Sequence, residues 1–346
     1  MIALRTMCGL AIAALALAGC ASSDPAAEGE NPALDAETAP DAAAAPDAAE
    51  GDDAADAVEG SFVFLPKSLN NPYWVDARLG MEAAAEELGV EAQFLGPDND
   101  DAAAQVAIFE QILATNPAGI AVSPNDPASV TDVISRARAQ GIPVIAWDGP
   151  VPDSEVLGYI GTDNVAAGEA QGEALAEAMG GEGKVAVVIG SLSATNLAQR
   201  LEGLEAALGE FPDIEIVAIE ESGESVADAQ NRAETILQAN PDLAGFAGVG
   251  GSDLPGIVGA LTAAGSCGEI SAVGFDVVPQ GIEGMEGGCV DAMISQRPFG
   301  MTEQALQILV DFSTDSSDLE EGFNEDTGVT TVTPDTLEEF LSEGPQ

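Results

Sequence analysis

Polar and aromatic side chains cluster where the apolar runs of this 346-residue chain stop. SFVFLP is followed by Lys67, Ser68, Asn70, Asn71, Tyr73 and Trp74, and AGIAVS by Asn125 and Asp126. PVIAW is followed by Asp148, KVAVVIG by Ser191, Ser193, Thr195 and Asn196, and AGFAGVG by Ser252 and Asp253. ISAVGF stops at Asp276 and VDAMIS at Gln296 and Arg297. Carboxylates accept hydrogen bonds, amides both give and accept them, and a flat aromatic ring covers an apolar C–H face. Such a set suits a neutral monosaccharide or related polyol, which offers hydroxyls and C–H faces together. Aromatics are only 4% of the chain, with two Trp and two Tyr, so Tyr73 beside Trp74 reads as half of a stacking wall. Both Trp, 74 and 147, stand at ends of apolar runs. A phosphorylated ligand would need Arg, Lys or a glycine-rich phosphate loop, and these ends are poor in bases.

Each residue also has a structural alternative. Ser191, Thr195, Asn125 and Ser252 serve equally well as helix N-caps. Trp74, on a first helical turn, has core packing as its other role. For Asn71, Asp148, Asp276 and Gln296 ligand contact is the expectation.

The same inventory excludes most enzymes. The chain contains no His, which removes Ser-His-Asp triads and most zinc sites. GGEGKV has only the Gly-Lys of a phosphate loop, and no dinucleotide fingerprint follows the first strand. Asp148 with Asp276 leaves paired-carboxylate glycoside chemistry as the enzymatic alternative. The expectation is a binding protein that is not an enzyme, with no cofactor and no metal.

These residues must be held by regular elements. From Ser61 the chain alternates strand and helix patterns. SFVFLP, VEAQFLGP, AGIAVSP, PVIAWDGP, KVAVVIGS, IEIVAIEES, AGFAGVGG, ISAVGFD, VDAMISQRP and VTTVTP read as strands. Helical spacing covers 72–88, 102–115, 127–140, 165–179, 196–208, 225–239 and 254–264, with a short stretch near 279–285 and a last helix over 301–312. GYIGTDN reads as a crossover. Short apolar strands separated by helices give parallel sheets covered on both faces. Roughly ten of them are too many for one compact sheet, so an α/β protein of two doubly wound domains is expected. Ligands in such sheets bind beyond the strands' carboxyl ends, where the polar clusters lie.

Sixty Asp and Glu against nine Lys and Arg give a formal net charge of -51. That excludes nucleic acid as a partner, because its binding needs a basic footprint. Self-repulsion of this size is tolerable when salt screens it, so the composition reads as halophilic. The start, MIALRTMCGLAIAALALAGC, has an Arg, a short apolar stretch and small residues, as export signals do. Residues 21–60 are almost only Ala, Asp, Glu, Pro, Gly and Ser, and read as a disordered acidic tether. Of four Cys, Cys8 goes with the signal. Cys267 and Cys289 precede adjacent strands in an oxidising compartment, so a disulfide is expected, with two free buried thiols as the alternative.

Two resemblances follow. Leu17-Ala18-Gly19-Cys20 resembles the lipobox of bacterial lipoproteins. By that resemblance 1–20 is a lipoprotein signal peptide, Cys20 becomes the lipidated first residue, and the protein is exported and membrane-anchored, periplasmic or at the cell surface. The ordered set LNNPYW, VSPND, IPVIAWD, YIGTDN, GEGKVAVVIGS, RLEGL, VGFD, ISQRP and DTGVTTVT is similar to the type I periplasmic binding proteins of ribose- and other simple-sugar ABC transporters. It covers about Ser61 to Leu341. The resemblance implies two Rossmann-like lobes, 61–162 plus 297–327 and 163–296 plus 328–346. Three crossing segments near Thr162, Gln296 and Gly328 would form the hinge that closes on a sugar. It implies Asn71, Tyr73, Trp74, Asp148, Asp276 and Gln296 as ligand contacts, beside Asn196 and Asp253 from the strand ends. Ribose binders have Arg where this chain has Gly149, and a second Arg where it has Ala198, with Arg200 on the next turn. Lys67, where ribose binders have Ser, would supply the missing cation. SLSATN looks more like binders of rhamnose or the autoinducer-2 signal. The implied function is sugar capture by a monomer that hands its ligand to an ABC permease. The alternatives are a sensor presenting ligand to a chemoreceptor or kinase, and an autoinducer-2 or nucleoside binder.

Overall fold

The computed structural model describes residues 60–314 and 320–344. The expected signal peptide, the lipidation expected at Cys20 and the expected tether up to residue 59 lie outside the described residues. The first lobe opens with β1 (Ser61–Leu65), α1 (Trp74–Leu88), β2 (Glu91–Phe94), α2 (Ala102–Ala114), β3 (Gly119–Val122), α3 (Pro127–Ala139), β4 (Val144–Trp147) and β5 (Gly158–Gly161). The chain then crosses to the second lobe. There it forms α4 (Asn164–Met179), β6 (Glu182–Ile189), α5 (Thr195–Gly209), β7 (Asp213–Glu221), α6 (Val226–Ala239) and β8 (Leu243–Gly248). This lobe continues with α7 (Asp253–Ala264), β9 (Ser271–Phe275), α8 (Pro279–Glu286) and β10 (Ala292–Ser295). It returns for α9 (Pro298–Ser313) and β11 (Phe323–Asp326), and crosses a third time into β12 (Thr330–Val332) and α10 (Leu337–Ser342).

Two six-stranded sheets result, ordered β11-β5-β4-β3-β1-β2 and β12-β10-β9-β8-β6-β7. The expected two doubly wound α/β lobes are therefore found. The inner strands β3, β4 and β10 are buried at every residue, which explains their unbroken apolar runs. The edge strand β2 alternates exposed and half-buried positions. In the first lobe, one face of the sheet packs Phe62, Phe64 and Ile145 with Met81, Leu306 and Leu309; the other packs Val63, Ile120 and Val144 with Phe109, Val130 and Ile134. The second lobe repeats the arrangement, with Val188, Phe246 and Leu254 on one face and Val187, Val273 and Leu204 on the other. Asp101, Asp126, Asp163 and Ser225 cap α2, α3, α4 and α6, each accepting a backbone N–H.

Three details depart from the sequence reading. Gly158–Gly161, read as crossover, is strand β5, paired with β4. β11, FNED, was not foreseen, because it is mostly exposed and carries no apolar alternation. β12 pairs antiparallel with β10, where all other pairings are parallel. Cys267 and Cys289 are disulfide-bonded with Cα atoms 4.3 Å apart, tying together the chain segments that lead into β9 and β10. Among the described residues no helix is long and apolar enough to cross a membrane.

Candidate functional site

Strand ends of both lobes converge on one narrow interlobe cavity of about 20 Å³. Its wall is built by Lys67, Asn71, Tyr73, Trp74 and Asp148 from the first lobe, and by Asn196, Leu197, Arg200, Glu224, Gly250, Gly251 and Asp276 from the second, with Gln296 at the hinge. Of the nine residues the sequence suggested for the ligand, Asp253 alone lies outside this wall. Its buried carboxylate accepts from Ser222 Oγ at 2.5 Å and from the Gly250 N–H at 2.7 Å. It therefore holds the loop behind the cavity instead of facing it. A larger groove beside the hinge, lined by Val75, Pro279, Ile282 and Leu341, is mainly apolar and shares Tyr73, Asp276 and Gln296 with the cavity wall.

The turn after β1 sets the first half of the site. Tyr73 N–H donates to Asn71 Oδ1 at 3.0 Å, which fixes the amide so that its Nδ2 points across the cleft. There it donates to Glu224 Oε2 at 2.6 Å. Lys67 Nζ donates to Asn196 Oδ1 at 2.8 Å, also across the cleft, and lies 3.2 Å from Asp148 Oδ2. Ser123 Oγ donates to the same carboxylate at 2.6 Å. Burial alone would raise the Asp148 carboxyl, but Lys67, Arg200 and the Ser123 hydroxyl outweigh it and hold it below the ordinary value.

Asp148 and Asp276 end the fourth strand of the opening β-α series in their respective lobes, β4 and β9. Both adopt left-handed backbone, with φ of 57° and 67°. Non-glycine residues rarely do so, and such strain concentrates where a side chain must be aimed. Asp276 Oδ1 accepts from Gln296 Nε2 at 2.8 Å. Burial pushes its carboxyl up to about 7, against the opposing pull of Arg200 and Gln296.

Arg200 is the largest addition to the sequence-derived set. It is fully buried and stacks its guanidinium 4.1 Å from the centroid of Phe275. It donates to Asn164 Oδ1 at 2.9 Å and to Gln296 Oε1 at 2.6 Å. Thr162 Oγ1 donates to the same Gln296 oxygen at 3.0 Å, so the amide of one crossing segment is held by a second crossing segment and by α5. Arg200 lies two residues beyond Ala198, where the resemblance implies an Arg, and its place on α5 still brings it to the wall. Glu224, beyond β7, was also missed. Its signal was the polar turn Ser222-Gly223-Glu224-Ser225 ahead of a helix, the same kind of stretch that follows the other strands.

Trp74 and Tyr73 do line the cavity, their ring centroids 4.7 Å apart at a steep angle. Trp147 does not. It is buried behind Trp74, edge-on at 5.3 Å, and belongs to the first lobe's core. The indole N–H of Trp74 has no protein acceptor. The arrangement offers one aromatic wall, one orphan donor, three carboxyls, three amides and two cations on the two sides of one cleft, the mixture of groups a polar ligand with apolar faces requires.

Comparison with known proteins agrees with this geometry. A family model described as periplasmic binding protein domain matches residues 62–315. The D-allose-binding periplasmic protein of Escherichia coli strain K12 is 28% identical, over 71% of this chain and 82% of its own. The crystal structure of an ABC transporter solute-binding protein from Burkholderia graminis C4D1M, in complex with D-arabinose, is 33% identical. It superposes with a TM-score of 0.77 over 82% of this chain and 98% of its own. GanP, a glucose-galactose binding protein from Geobacillus stearothermophilus, is 30% identical with a TM-score of 0.75, covering 80% and 98% of the two chains. With two matching lobes, a cavity at the strand ends and a family model spanning most of the chain, this protein belongs to the periplasmic binding protein family.

Proposed function

We propose that this protein captures a neutral monosaccharide or closely related polyol in its interlobe cavity and delivers it to the permease of an ABC importer, without making or breaking a bond. The observation that carries the reading is the composition of one cavity wall. Trp74 and Tyr73 provide an apolar face, and Asn71, Asp148, Asn196, Asp276, Gln296 and Arg200 surround it with polar groups. A sugar ring presents C–H on its faces and hydroxyls at its rim, so such a wall can satisfy both at once. The names of the relatives point the same way, since they bind allose, arabinose, glucose and galactose.

The three crossing segments act as the hinge, and the cross-cleft bonds of Lys67 and Asn71 belong to the closed form. We assign the protein to the extracytoplasmic side, tethered through a lipid on Cys20; a Cys20→Ser variant that stays with the membrane fraction would refute the anchor. The deciding experiment titrates the mature protein, in molar salt, with pentoses, hexoses, deoxyhexoses and polyols while reading Trp fluorescence. One saturable sugar at low concentration supports the reading. Silence across the panel, checked by calorimetry, rejects it.

A further inference from the structure

Closing the lobes encloses more acid than base. Glu224 sits on a left-handed residue, φ 57°, in the turn between β7 and α6, and only 8% of it is exposed. Its one cross-cleft bond is the amide of Asn71. Asn71 cannot turn its oxygen there instead, because the Tyr73 N–H already holds that oxygen. Among the described residues the only ion pair buried in the cavity is Lys67 with Asp148; no cation lies within salt-bridge distance of Glu224. Lys67 is shared between Asp148 and Asn196, while Arg200 is shared among Asn164, Val249 and Gln296.

The groups that act on Glu224 from the surrounding elements add to the imbalance. Lys67 comes from the loop after β1 and Arg200 from α5. Against them stand Asp148 after β4, Asp253 on α7, Asp276 after β9 and Asp100 in the loop after β2. Asp253 approaches Glu224 across Gly250, where a side chain's first carbon would meet both carboxylates within 4 Å. An enclosed carboxylate without a counter-ion is costly, and such a group takes up a proton instead. Burial raises the Glu224 carboxyl above its ordinary value, only partly opposed by Lys67 and Asn71. Both of those residues belong to the first lobe. Opening the cleft removes them and admits water, which restores an ordinary exposed carboxylate.

Building on the sugar-capture reading, we infer that Glu224 closes over the ligand as a neutral carboxylic acid, so that each capture event takes up one proton from solution. The proton passes from solvent to a Glu224 oxygen as the lobes close and returns when they open; no bond in the sugar changes. With Oε2 accepting from Asn71, Oε1 carries the proton and becomes a donor at the cavity wall. Capture is then favoured in acid and weakened in base, and the residue responsible differs from Asp148, whose carboxyl is held below its ordinary value.

The test is calorimetry of sugar binding in buffers of different ionisation enthalpy, from about pH 5.5 to about pH 8, on the wild type and on Glu224→Gln. Gln keeps the acceptor for Asn71 and imitates the protonated acid. The wild type should take up about one proton more than Glu224→Gln and lose affinity more steeply toward the basic end, by up to tenfold per pH unit. Glu224→Gln should bind with the shallower profile left by Asp276, Asp253 and Asp100 and overtake the wild type there. Wild-type binding without proton uptake, or the same slope in both proteins, overturns the inference. If neither protein binds any sugar at any pH, the sugar-capture reading fails, and small-angle scattering of the sugar-free proteins judges the proton separately. Because protonation of Glu224 accompanies closure, acid should make the sugar-free wild type more compact than base does. A compaction with falling pH that is weaker in Glu224→Gln supports the proton; the same pH response in both proteins overturns it.

Discussion

Trp74 and Asp148 do different work in the same wall, and their substitutions should separate. Trp74 is held edge-on between Tyr73 and Trp147, so its face is fixed before any ligand arrives. Trp74→Ala should weaken sugar affinity by roughly tenfold to a hundredfold, equivalent to about 1–3 kcal/mol. Asp148→Ala should do more, because it also leaves Lys67 buried without its partner; a further loss of about 3–5 kcal/mol in folding stability is expected. Calorimetry and thermal unfolding together check both, and unchanged affinity in the two variants rejects the site. At this scale much of the wall was legible. Asn71, Asp148, Asp276 and Gln296 each follow an apolar run, and the end of a parallel strand has only one place to point. Arg200 was not legible as a site residue because it acts from inside α5, where reach depends on how the helix packs. Asp253 misled for the opposite reason. It follows a strand too, but its carboxylate is spent on the loop's own N–H and hydroxyl.

That packing is decided by small residues between helices α4 and α5. A side chain at Gly168 would begin 2.0 Å from the backbone oxygen of Arg200, and one at Gly203 would begin 2.0 Å from that of Val165. The two helices touch backbone to backbone, and this close approach sets Arg200 at the cavity. Gly168→Val should therefore push α5 outward. Overpacking costs about 1–3 kcal/mol, and sugar affinity should fall with it because Arg200 moves. Gly209→Ala, at the end of α5, is the control, since nothing lies within 4 Å of the added carbon. Thermal unfolding and sugar titration of both variants test this; equal affinity in Gly168→Val rejects the link between the helix contact and the site. The sequence announced most elements through apolar period and caps. It could not announce β11, whose FNED has no inward face of its own and is strand only because β5 offers a free edge.

Over the whole molecule the charge of -51 is the dominant unscreened force. Surface carboxylates repel one another over about 10 Å at 0.1 M salt and over roughly three times that when salt is tenfold lower. The melting temperature should therefore fall as salt is reduced from molar to millimolar levels, and sugar affinity should fall with it because closure brings acidic lobes together. A melting temperature that stays level over that range rejects salt adaptation as the meaning of the composition.

The three crossings also set a timetable for the newly made chain. The outer strand of the first lobe's sheet is β11, and helix α1 packs against α9, yet both partners are encoded after ten of the strands. Until they emerge, the oldest part of the protein has an unpaired sheet edge and an uncovered apolar helix face. The lobe begun first is thus completed nearly last, after most of its neighbour exists. Early misassembly at that edge is the hazard this threading carries.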